Sequence, residues 1–210
     1  MARSTRFIEL KRRLRALRDN MLPAKFSPTG DYSARQLDRT RGYRLLAHAE
    51  IEAFIEDVCF EAARTSISNW SKTKNVTDAL FCLMAHYHNG FAIPSLDEEP
   101  PIPPNLRPKA KEAIKEVIDI AMRQYRKIHD DNHGIREENL LRLILPVGVR
   151  KDDLDQTWIT NLSEFGKRRG DVAHKTVKAQ QQIDPKSELQ VIDDLLIGLE
   201  KLDNLILQVS

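Results

Sequence analysis

At 210 residues and 24.2 kDa, with 41% hydrophobic and 30% charged residues, the chain has the length and composition of one globular domain and no room for three. No apolar run approaches the ~18 residues of a membrane span. The basic stretch Met1 to Asn20 lacks the apolar block of a secretory signal, so the chain is expected in the cytoplasm, without membrane contact. The net charge of +2 conceals an asymmetry: residues 1–44 hold 12 Lys/Arg against 4 Asp/Glu, and residues 45–210 hold 21 against 27. Such a front segment suits phosphate, but the small total argues against a protein that coats nucleic acid.

The N-terminal segment 1–30 reads as a basic helix and loop. Phe7, Leu10, Leu14, Leu17 and Met21 recur at 3-4-3-4 spacing, a heptad seam over 4–22, with Arg12, Arg13, Arg15 and Arg18 off it. Pro23 and Ser27-Pro28-Thr29-Gly30-Asp31 end it. A long amphipathic helix follows over 34–68. Ala47, Ile51, Phe54, Val58 and Ala62 form its apolar stripe, and His48, Glu52 and Glu56 form a polar stripe at i, i+4.

Residues 77–89 predict a shorter helix, capped by Thr77 and stopped by Gly90, with Leu80, Phe81, Leu83, Met84 and Tyr87 as its apolar set. Residues 92–108 hold six of the ten prolines and read as a loop inserted in one domain that spans 1–210. A helix over 109–130 takes Ala110, Ile114, Val117, Ala121, Tyr125 and Ile128 as its face, with Pro108 in its first turn. A short apolar helix over 136–145 stops at Pro146. Asp152 or Asp153 caps the next, where Leu154, Trp158, Leu162 and Phe165 repeat before Lys167-Arg168-Arg169-Gly170-Asp171-Val172-Ala173-His174. The last helix opens with Asp184 and Pro185 and carries Ile192, Leu195, Leu199, Leu202, Ile206 and Val209, a second seam.

Strand signals are absent. The fold class is therefore all-α, an up-and-down bundle of about six or seven helices. The two terminal seams pack on each other or form a subunit interface. Cys59 and Cys82 lie in apolar helical patterns and read as buried free thiols of a reducing compartment.

There is no phosphate-binding glycine loop, no Gly-x-Ser-x-Gly elbow and no His-Glu-x-x-His helix, which removes the commonest NTPases, α/β-hydrolases and metalloproteases. His86-x-His88, and His129 with His133 around Asp130-Asp131-Asn132, read as polar helix ends, where histidine suits the dipole. No metal or other cofactor is expected. His48 and Glu52 form a hydrogen-bonding pair, buried in the bundle or lining a cleft.

The sharpest combination is Arg169 with His174. An arginine fork holds a phosphate, and a histidine moves protons near neutral pH. Both face one pocket if the helix bends at Gly170. These are the parts that cleave RNA without a metal. A base takes the ribose 2′-OH proton, the oxygen attacks phosphorus, an acid protonates the leaving 5′-oxygen, and a cation steadies the phosphorane. One histidine is not base and acid at once; a two-fold dimer supplies two.

Arg169 to His174 fits an R-x4-6-H signature, and Tyr43-Arg44-Leu45-Leu46-Ala47-His48-Ala49-Glu50-Ile51-Glu52-Ala53-Phe54-Ile55-Glu56 is similar to the long second helix of the same domains. On these residues the chain resembles the HEPN superfamily, and within it the RiboL-PSP-type HEPN domains, over most of residues 34–208. The resemblance implies an all-α bundle that dimerises with its Arg/His motifs facing. It also implies metal-independent endoribonuclease activity, in a toxin–antitoxin or anti-phage defence setting.

Carried over, Arg169 and His174 are the catalytic pair; on the ribonuclease reading Lys167 and Arg168 are then substrate-binding cations, and His48 and Glu52 line the same cleft. A polar residue usually follows the arginine; here Gly170 does. Either Asp171 takes that role one position later, or Arg168 is the functional arginine with Arg169 following it. The implied partners are RNA, a second copy of the chain, and an antitoxin or other defence protein. The alternative is a non-catalytic helical dimer that binds RNA or a partner protein.

Overall fold

Helix-forming composition and helical periodicity coincide along most of this chain, and helices are what it forms. A computed structural model describes residues 3–87, 107–174 and 183–210, the side chains of 107–112 and 170–174 excepted. Thus His88, Gly90 and the Pro-rich stretch up to residue 106 lie outside the described residues. The helices are α1 (Thr5–Met21), α2 (Ala34–Thr73), α3 (Asp78–Tyr87), α4 (Arg107–Asp130), α5 (Glu137–Ile144), α6 (Gln156–His174) and α7 (Pro185–Val209). Among the described residues there is no strand, and no helix is long and apolar enough to cross a membrane. The all-α class is borne out.

Polar residues fix several helix starts. Ser4 caps α1, its Oγ accepting from Phe7 N–H at 3.0 Å. Ser33 and Gln36 form a reciprocal capping box on α2. Thr77 Oγ1 accepts from Leu80 N–H at 3.3 Å, and Asp184 Oδ1 from Ser187 N–H at 2.7 Å, with Pro185 at the first position of α7.

One expected cap is replaced. Asp153 is taken up by Arg150 in a 3-10 turn, Lys151–Asp153, through contacts of 2.7 and 3.1 Å. Asp155 caps α6 instead, accepting from Trp158 N–H at 2.8 Å. Pro146 does not simply stop α5; it sits inside a second 3-10 turn, Leu145–Val147.

The core forms around α2. Ala47, Ile51, Phe54, Ile55, Val58 and Ala62 are buried along it, and α1, α3, α5, α6 and α7 all contribute to the same apolar cluster. Of the two readings of the terminal seams, packing within the chain is the one observed. Phe7, Leu10, Leu14 and Leu17 are buried where α1 lies against α2 and α7, with the Phe7 and Phe54 rings 5.8 Å apart. Burial of each such side chain stabilises the fold by about 1.5–3 kcal/mol, which an exposed seam would forgo.

Two polar ties join the chain ends to this core. Ser4 donates to buried Asp203 from its backbone N–H (2.8 Å) and its hydroxyl (2.5 Å). Arg44 on α2 donates to Glu188 on α7 at 2.8 and 2.5 Å, both side chains buried.

α6 and α7 meet closely at Trp158, whose indole N–H donates to Leu195 O at 3.0 Å. Gly198 faces that ring, and a Cβ at this position would overlap it. The apolar face of α4 differs from expectation. Ile118, Ala121 and Tyr125 are buried while Ile114 is exposed, because Ile118 is the residue that meets Leu80 and Met84. Phe81 is likewise exposed, and Cys82 is only half-buried, whereas Cys59 is buried as expected.

Candidate active site

α6 runs as one helix from Gln156 through Gly170 to His174, with no helix break at Gly170. With ~3.6 residues per turn, the five-residue step from Arg169 to His174 corresponds to about 140° around the axis. The side chains of Asp171 and His174 lie outside the described residues. Of the basic run, Lys167 pairs with Glu164 at 2.5 Å on the surface of α6. Arg168 is exposed and lies near enough to Glu164 to help hold that carboxyl below the usual range, after Lys167.

Arg169 enters a polar cleft of about 470 Å³, shared with Ala49, Glu52, Ala53, Glu56, Asn132 and His133. α2 forms its floor. The i, i+4 stripe Glu52–Glu56 brings two carboxylates to one face, and Ala49 and Ala53 beside them leave open space where larger residues would fill it. The wall is the turn after α4. Asn132 Nδ2 donates to Glu56 Oε1 at 2.7 Å and to Gly134 O at 3.1 Å, and Asn139 Nδ2 donates to Asn132 Oδ1 at 3.0 Å. Gly134 has φ +145, a conformation that a side chain would strain.

The two carboxylates are held oppositely. His48, then the positive charge of Arg169 and the backbone N–H of Gly134, keep Glu52 below the usual range against the effect of burial. Burial, with the neighbouring charges of Glu52 and Asp57, raises Glu56 despite the Asn132 bond.

His48 stands behind Glu52 rather than in the cleft. It is only 2% exposed, with its ring 5.9 Å from that of Phe165. Its Nδ1 lies 3.4 Å from Glu52 Oε2, near enough for attraction, but it makes no properly directed hydrogen bond.

The structure thus brings together Arg169 and Glu52, sets His48 behind them, and leaves Lys167 and Arg168 outside the cleft lining. It adds Glu56, Asn132 and His133. The last two had been read only as part of a polar helix end. That reading holds for His129, whose ring lies 4.7 Å from Phe60 and whose Nδ1 is 3.0 Å from Asp130 Oδ1. His133, exposed just beyond the end of α4, also lines the cleft. The one local signal was the Asn-His-Gly run at a helix end; the tie that places it spans 76 residues, from Glu56 to Asn132. His86 is exposed, its ring edge-on to Tyr87. Among the described residues, no three His, Cys, Asp or Glu converge as a metal site would require.

The arrangement defines a class: a helical bundle whose penultimate helix carries an Arg/His motif across a carboxylate-bearing long helix. The family profile of RiboL-PSP-HEPN matches residues 8–208, and the chain belongs to that family. No curated protein and no solved structure matches it significantly.

Proposed function

We propose that this protein is a metal-independent endoribonuclease that uses the 2′-OH of RNA as its nucleophile and leaves 2′,3′-cyclic phosphate and 5′-OH ends. The observation that carries the reading is Arg169 standing in an open polar cleft, on the helix that bears the family's motif. Its guanidinium offers a fork for two phosphate oxygens, and the charge it presents is worth most where the phosphorane forms.

In this reading His174 takes or gives the proton, Lys167 and Arg168 bind flanking phosphates, and Asp171 supports the motif. Glu52 shares the cleft with Arg169 and answers its charge, and His48 backs Glu52. Two copies related by a two-fold axis present their motifs to one RNA strand. The setting is the cytoplasm, in toxin–antitoxin or anti-phage defence, with an antitoxin or other defence protein as the restraining partner.

The test is RNA cleavage by the purified chain with EDTA present, comparing wild type, Arg169→Ala and His174→Ala, with product ends identified. Cleavage by wild type alone, leaving cyclic phosphate ends, is expected. Binding of RNA without turnover would instead mark a helical module that holds RNA or a partner protein.

A further inference from the structure

The cleft is lined by a histidine that does not belong to the Arg/His motif. His133 is exposed, yet the residue before it is anchored to α2. Asn132 is tied to Glu56 at 2.7 Å, and its amide is oriented by Asn139 at 3.0 Å. Asn132 Nδ2 also donates to Gly134 O at 3.1 Å, which closes the turn on the other side of His133. An imidazole on a turn fixed in this way lines the cleft with its residue exposed, which is the placement a proton-transfer group needs.

A second position is also called for because one imidazole is not base and acid at once. α6 is unbroken, so Arg169 and residue 174 are about 140° apart around its axis. A further group for the phosphate held by Arg169 can come from another element, and the turn after α4 supplies one.

We infer that His133 is a second proton-transfer residue of this cleft, acting on the phosphodiester that Arg169 holds. The inference rests on the ribonuclease reading above. In the reaction the O2′–P bond forms as the 2′-OH proton passes to one imidazole. The P–O5′ bond breaks as O5′ takes a proton from an imidazolium. One proton leaves and one arrives, and no further reactant enters. The charged groups facing His133 are Glu52 and Glu56 from α2 and Arg169 from α6, with Asp130 and Asp131 on its own turn.

The experiment follows single-turnover cleavage of short RNA by the full chain in EDTA, across about pH 5–8, the range in which histidine ordinarily changes charge. Wild type, His133→Gln and Arg169→Ala are compared, with thermal unfolding of each. His133→Gln is expected to keep the wild-type melting temperature and KM, to lose ~10²–10⁴-fold in rate, and to show one limb where wild type shows a bell. An unchanged rate, or a change confined to KM with the bell intact, overturns the role of His133 and leaves an Arg169-dependent ribonuclease standing. A wild-type chain that cleaves no RNA overturns both readings together.

Discussion

Arg44 and Glu188 lie 144 residues apart in sequence and face each other through two hydrogen bonds, 2.8 and 2.5 Å, in the interior between α2 and α7. Desolvating both charges costs much of what their attraction returns, so the pair contributes little net stability, but neither partner tolerates loss of the other. Glu188→Ala is expected to destabilise the fold by about 3–5 kcal/mol, while the double change Arg44→Met, Glu188→Leu stays close to wild type. Urea unfolding of the three chains checks this; an equal loss in single and double variants would contradict it.

Glu52 and Glu56 should respond to pH in opposite directions. The pKa of Glu52 is lowered on folding, so its contribution to stability is present above the unfolded value and fades as pH falls through the folded one. That of Glu56 is raised, so its contribution is complete below the unfolded value and is lost as pH rises through the folded one. Between about pH 3 and pH 7, Glu52→Gln should flatten the acid-side loss of stability, and Glu56→Gln should gain on wild type as pH rises. Parallel stability curves for the two variants would refute the assignment.

The two adjacent arginines of α6 should separate kinetically. Arg169→Ala removes the cation in the cleft and is expected to lower the RNA cleavage rate by ~10²–10³-fold. Arg168→Ala removes a surface cation. It should weaken RNA binding evenly across sequences and reduce the salt slope of binding by about one, with the rate at saturation retained. Salt-dependent binding and single-turnover cleavage distinguish the two.

The α1 seam lends itself to a test of fold rather than assembly. Leu14 and Leu17 are buried in their own chain. The double change Leu14→Asp, Leu17→Asp is therefore expected to unfold or strongly destabilise the protein. Cooperative melting at the wild-type temperature, with only a smaller mass by light scattering, would place the seam between subunits instead.

The features legible in the sequence were those set by neighbours along the chain. The 3-4-3-4 seam of α1, the capping of α3 by Thr77 and the Asp184-Pro185 start of α7 are local, and each stands where its pattern put it. What escaped depends on contacts distant in sequence. Asp153 has good capping chemistry, but Arg150 claims it. Ile114 continues a good helical stripe, but Ile118 is the residue that meets Leu80 and Met84. In the site, Arg169 and Glu52 were both named from motifs, yet the step between them, and the turn that adds Asn132 and His133, follow from how α2, α4 and α6 cross. Spacing along one helix does not contain that information.

The contact between Trp158 and Gly198 fixes the start of α6 against α7. The helix is clamped to α7 near its start, and Arg169 lies eleven residues further along, about 16 Å at ~1.5 Å per residue. A tilt of about 4° at the clamp moves the guanidinium's anchor by about 1 Å, a displacement able to cost ~10²-fold in rate. Gly198→Ala, which adds one methyl group on the far side of α6's first turn, should therefore reduce cleavage more than its effect on stability would suggest. On the ribonuclease reading, the precision of the cleft depends in part on a glycine outside its lining.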